Sequence, residues 1–157
     1  MAEPAHRIVD EPLAGKAAKP TPVILLVDDD EMTRISMAGR LKRLGYRVIE
    51  ADDGVAGLAA IRAQRPDLVI LDWMMPGLDG PSVCEAIRAD GELRSSQVVL
   101  MTAHDQPEQI AEGLSRGADD FLSKAASKQE VLARVQASLR SSALVREIER
   151  TRDDLDR

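Results

Sequence analysis

Residues Val23–Met32 read VILLVDDDEM: five aliphatic residues run directly into four acids, Asp28, Asp29, Asp30 and Glu31. The aliphatic run is too short for a helix and apolar at every position, as expected of a strand covered on both faces in a parallel sheet. Four further short runs have a similar character: YRVIEA (46–51), DLVILD (67–72), QVVLMT (97–102) and DFLS (120–123). Between them lie amphipathic stretches over 31–44, 54–64, 82–89 and 108–116, and a last one from Lys128 onward. Five strands alternating with five helices make an α/β protein, and short right-handed crossovers favour a doubly wound five-stranded parallel sheet. Gly45 is placed to end the first helix in a left-handed conformation, and Ser127 with Glu130 reads as a capping box that opens the last.

The 157 residues, 44% of them hydrophobic, suffice for one domain with one good core. A net charge of −6 gives no nucleic-acid footprint and fits a cation or a basic partner better. The lone Cys84 reads as a small apolar filler, and His6 and His104 lack metal-ligand spacing. No apolar stretch approaches about 18 residues, so a soluble, cytoplasmic protein with no membrane partner is expected. Residues 1–21, rich in Ala and Pro, read as a disordered leader.

In a doubly wound sheet, ligands bind beyond the carboxyl ends of the strands. Those ends carry Asp28 and Asp29, Ala51 and Asp52, Asp72, Thr102, and Ser123 and Lys124. Three carboxylates, a hydroxyl and an amine thus converge on one sheet edge. Clustered carboxylates suit a hard divalent cation, and Mg2+ takes one or two of them while contacting a phosphate. Asp28, Asp29 and Asp72 are the candidate ligands, whereas Asp30 and Glu31 read as first-turn acids favoured by the helix dipole. A carboxylate also serves as a nucleophile toward phosphorus. Phosphoryl transfer then needs neutralisation of the equatorial oxygens, for which Mg2+, Lys124 and Thr102 are available.

LLVDDD, LVILDWMMPGLDG, VVLMTA and GADDFLSK, in this order and spacing, give the segment from Val23 to Leu139 its resemblance to the receiver domain of bacterial two-component response regulators. The resemblance implies a flavodoxin-like fold with strand order 2-1-3-4-5. It further implies that Asp72 accepts a phosphoryl group from a histidine kinase or histidine phosphotransfer protein. Mg2+ would be held by Asp28, Asp29, Asp72 and the main-chain carbonyl of Met74. Thr102 and Phe121 match the family's switch pair, and Met74 and His104 fall where the path of the attacking water is flanked. Such a domain is a phosphoacceptor, not an enzyme in its own right.

Where the family has proline after the lysine, this chain has Ala125. Either the Lys124–Ala125 peptide is cis, at a cost of about 2.5–4 kcal/mol, or it is trans and the loop is reshaped. The departure keeps open a receiver-like interaction module that takes no phosphate. A Mg2+-dependent aspartate-nucleophile phosphatase is disfavoured, because Met32 stands where its signature needs a hydroxyl residue and no lid insertion is present. With the receiver unit at 22–140, residues 141–157 read as a charged helical extension. In it Leu144, Ile148, Thr151 and Leu155 recur at four, three and four, a spacing that fits either a coiled-coil seam, and so a homodimer through this helix, or an amphipathic solvated helix.

Overall fold

The computed structural model describes residues 21–93, 95–103 and 106–156. The order is β1 (Val23–Val27), α1 (Glu31–Arg43), β2 (Arg47–Ala51), α2 (Gly54–Gln64), β3 (Leu68–Asp72) and α3 (Gly80–Ala89). A 3-10 turn (Gly91–Leu93) then leads to β4 (Gln97–Thr102), α4 (Pro107–Ser115), β5 (Asp120–Ser123) and α5 (Lys128–Leu155). All strand pairs are parallel, in the order β2-β1-β3-β4-β5, which is the flavodoxin-like arrangement. The strand order reverses at β1, which has β2 on one side and β3 on the other, so a crevice opens beyond the carboxyl ends of β1 and β3.

Strand alternation divides the interior into two layers. Ile24 and Leu26 of β1 pack with Met37, Ala38 and Leu41 of α1 and Val131 and Val135 of α5. Leu25 and Val27 pack on the other face, with Ile61 of α2 and Val83, Cys84 and Ile87 of α3. Every central position is therefore apolar, as the run VILLV required. Cys84 is fully buried, and burial pushes its thiol up to about 12, so it fills space as expected.

Helix starts are set by side-chain caps. Asp30, Asp53, Asp79 and Ser127 each accept a hydrogen bond from the backbone N–H three residues on. Asp30 is thus a cap that precedes the first turn, and Glu31 alone is the first-turn acid of α1. The Thr33 hydroxyl also bonds Asp30 and is the main cause holding that carboxyl below its ordinary value. Gly45 has φ +96°, the left-handed conformation expected after α1.

The last helix is continuous across residues 140 and 141. Its face toward the domain, Val131, Val135, Ser138 and Ser142, is buried at a four-three-four spacing. Ser142 Oγ donates to Ser95 O at 2.8 Å, and Arg146 binds Asp67 at 3.3 Å and the carbonyls of Arg65 and Pro66. Residues 150–156 are exposed. Among the described residues no helix is long and apolar enough to cross a membrane. The leader expected over 1–21 lies outside the described residues but for its last position.

Candidate functional site

Strand register places the acids. Val27 pairs with Leu71, and one step further along the same register sets Asp28 beside Asp72. Asp28 follows Ile24 and Leu26 at period two, Asp72 follows Leu68 and Ile70, and Lys124 follows Leu122, all members of the layer under α1 and α5. The pleat thus delivers Asp28, Asp72 and Lys124 to the same side of the sheet edge. Thr102 has the opposite parity and follows Val98 and Leu100 of the other layer.

One carboxylate oxygen from each of Asp28, Asp29 and Asp72 lies within 4.8 Å of the other two. Lys124 Nζ stands 3.1 Å from Asp72 Oδ1 and 3.8 Å from Asp28 Oδ2. Asp28 is fully buried and Asp72 is 3% exposed, whereas Asp29 faces solvent. Burial, followed by the charge of Asp28, pushes the Asp72 carboxyl up to about 7, against the pull of Lys124. Burial works against the Lys124 ammonium, but its hydrogen bond to Asp72 and the charges of Asp72, Asp28 and Asp29 outweigh this and raise it.

A single ammonium does not balance these acids. Asp28 Oδ1 accepts from Asp30 N at 2.9 Å, while the buried Oδ2 has no hydrogen-bond partner among the described residues. A buried carboxylate oxygen without a donor is costly unless a cation meets it. The cluster of hard oxygens fits a divalent ion of the Mg2+ class.

The peptide after Lys124 is trans, as no cis bond occurs among the described residues. Ala125 N donates to Ser123 Oγ at 3.1 Å, a bond proline could not make, and Ala126 N donates to Ser123 O at 3.0 Å. The loop is closed by these bonds, and Lys124 still reaches Asp72.

The remaining expected residues lie nearby in differing settings. Thr102 is 4% exposed, its Oγ is 3.5 Å from Gln109 Oε1, and its carbonyl accepts from Lys124 N at 2.9 Å. Phe121 pairs with Leu100 in register and lies under the Arg134 guanidinium, 5.6 Å from the ring centroid. Met74 is 72% exposed, whereas its neighbour Met75 is buried in the core. His104 lies outside the described residues.

Two supporting residues escaped the sequence. Arg34 Nη1 donates to the Asp28 carbonyl at 2.8 Å, and its Nε meets Glu50 Oε1 at 3.2 Å, tying α1 and β2 to the acidic corner. The only signal was a cation one turn into the helix after the acids, because a main-chain acceptor leaves no mark in sequence. Gly80 packs so tightly that a Cβ there would stand 2.5 Å from the Asp72 carbonyl oxygen and 3.0 Å from Trp73 Cα.

Comparison with known proteins agrees with this geometry. A family model described as the response regulator receiver domain matches residues 24–136. Response regulator MprA of Mycobacterium ulcerans is 43% identical over 121 residues, covering 77% of this chain and 51% of the relative. Transcriptional regulatory protein AfsQ1 of Streptomyces coelicolor is 40% identical over 119 residues, covering 76% and 52%. The chain therefore spans about half the length of these curated relatives. Among solved structures, the signal receiver domain of the putative response regulator NarL from Mycobacterium tuberculosis superposes with a TM-score of 0.71 at 34% identity, covering 78% of this chain and 98% of that one. A putative response regulator from Chloroflexus aurantiacus gives 0.73 at 30% identity, covering 76% and 98%. With its sheet order, its acidic corner and its matched length in agreement, the chain belongs to the response regulator receiver domain family.

Proposed function

We propose that this chain is a phosphorylation-operated switch of a two-component system, in which Asp72 takes a phosphoryl group from a histidine kinase or histidine phosphotransfer protein. The observation that carries this reading is Lys124 Nζ at 3.1 Å from an Asp72 oxygen, inside a cluster completed by Asp28 and Asp29. In the reaction an Asp72 carboxylate oxygen forms the bond to phosphorus as the donor's P–N bond breaks. Lys124 holds its ammonium where an equatorial oxygen arrives, and Arg34 fixes the backbone of Asp28. Asp28, Asp29 and Asp72, with the Met74 carbonyl, would hold Mg2+, which when bound neutralises phosphoryl charge.

The readout assigned to Thr102 and Phe121 is a two-state change. The Thr102 hydroxyl turns toward the new phosphate and the Phe121 ring follows, altering the surface of α4, β5 and α5. The backbone bond from Lys124 to the Thr102 carbonyl supports a joint response of the two residues. The receiver unit is taken as 22–140 and the charged extension as 141–157, working in the cytoplasm. A homodimer through the C-terminal helix belongs to the same proposal. The module that takes no phosphate loses its main support, because Ala125 does not keep Lys124 from Asp72.

The test is incubation with Mg2+ and acetyl phosphate, with the acceptor identified by mass spectrometry. Modification on Asp72 that needs Mg2+ and vanishes in Asp72→Asn is the expected result. An unmodified protein after prolonged exposure, with beryllofluoride also leaving Trp73 fluorescence unchanged, would overturn the reading.

A further inference from the structure

The far end of α5 presents an apolar stripe that its own domain does not cover. Leu144, Ile148 and Leu155 are 60%, 66% and 81% exposed, and with Glu147, Thr151 and Arg152 they line one shallow groove. The domain-facing residues Val131, Val135, Ser138 and Ser142 repeat at four, three and four, and the exposed series repeats at the same spacing thirteen residues later. At about 100° per residue the offset is roughly 220°, so the two stripes lie on nearly opposite sides of the helix. Ser142 and Arg146 clamp the first stripe to the domain and fix the direction in which the second points. The bulk of each domain therefore lies away from the stripe, leaving it open to a second helix.

Charge selects the occupant and its direction. In heptad terms Ile148 and Leu155 take a positions, Leu144 and Thr151 take d, Glu147 and Asp154 take g, and Arg152 takes e. In a parallel pair a g residue faces the e residue five positions on in the partner, which brings Glu147 to Arg152 twice across the dyad. In an antiparallel pair the acidic g positions, Glu147 and Asp154, would face one another. The six groove residues are the a, d, e and g positions of this register. We propose that α5 pairs with α5 of a second copy of this chain as a parallel, in-register coiled coil, locked by reciprocal Glu147–Arg152 ion pairs. Two heptads make a short seam, so association is weak and depends on concentration. The proposal extends the functional reading but does not require phosphorylation of Asp72.

Sedimentation equilibrium of the unphosphorylated whole chain tests it, so the outcome is separate from that of any phosphorylation assay. The expected results are a monomer–dimer equilibrium, dimerisation roughly tenfold weaker in Glu147→Arg and in Arg152→Glu, and recovery as a heterodimer when the two variants are mixed. Recovery follows because each g–e contact then joins opposite charges. All substituted side chains are exposed, and an unchanged circular dichroism spectrum checks that each variant folds. A chain that stays monomeric at the highest reachable concentration overturns the pairing. A dimer indifferent to Ile148→Glu places the contact elsewhere and also overturns it. A dimer that loses strength in Ile148→Glu but not in the charge variants overturns the parallel register.

Discussion

Lys124 Nζ lies 3.1 Å from Asp72 Oδ1, joining the residue after the last strand to the residue that ends the central one. The contact links positions from β3 and β5 across β4, and it is made although proline is absent at 125. Lys124→Ala removes the ammonium that contacts Asp72 while leaving the three carboxylates in place. A hydrogen bond to a charged group is worth about 1.5–3 kcal/mol, so phosphorylation by acetyl phosphate is expected to slow by roughly ten- to a hundredfold. Stopped-flow Trp73 fluorescence at saturating Mg2+ measures it. A rate equal to wild type would remove Lys124 from the reaction.

The Asp72 carboxyl gives the metal-free protein a characteristic pH dependence. Its ordinary value of 3.8 is raised to about 7 in the fold, so between those values the folded chain holds more protons than the unfolded one. The contribution of Asp72 to stability is therefore full below about 4, falls as pH rises toward 7, and is level above that. For this group the slope approaches about 1.4 kcal/mol per pH unit. Asp72→Asn abolishes this decline and is expected to raise the melting temperature at pH 8 without metal, because it ends the repulsion with Asp28. Thermal melts from pH 4 to 8 in EDTA measure both. Adding Mg2+ at pH 8 stabilises wild type more than the variant, since binding to the folded state adds RT ln(1 + [L]/Kd).

Much of this arrangement was legible in the sequence because its strongest signals are local. VILLV is apolar at every position and LVILD at every position before its terminal Asp72, and that property alone calls for a sheet covered on both faces. Asp28, Asp29 and Asp72 were readable as neighbours because a parallel sheet collects the carboxyl ends of its strands at one edge. The pleat that sets Asp28, Asp72 and Lys124 on one side and Thr102 on the other depends on register, which no single strand encodes. Arg34 was not found because its acceptor is a backbone carbonyl. The role of Asp30 was misplaced by one position, since an acid just before a helix and one just inside it look alike in sequence although only the former caps it.

Gly80 illustrates how the first turn of α3 supports Asp72. Its N–H donates to Trp73 O at 2.9 Å, and any Cβ would collide with the Asp72 carbonyl and the Leu100 side chain. Gly80→Ala must displace backbone at the site, with an expected loss of about 1–3 kcal/mol by overpacking. Denaturant unfolding measures the loss. Phosphorylation is expected to slow even where the variant is fully folded, whereas an unchanged rate would mean that the strain is absorbed by α3.

Met74 stands two residues beyond Asp72 with 72% of its surface exposed, while Met75 beside it is locked in the core. A side chain so largely exposed is free to act on the site mouth, and a bulky thioether there excludes water without offering it a hydrogen bond. The phosphorylated state is therefore expected to outlive that of a variant with a polar residue at 74. Met74→Asn should hasten loss of the phosphoryl group several-fold with little change in stability, because most of the side chain is exposed. The decay of Trp73 fluorescence after rapid removal of the donor gives the rate directly. Equal decay in wild type and variant would leave Met74 as a plain loop residue and place the control of hydrolysis on other groups at the crevice.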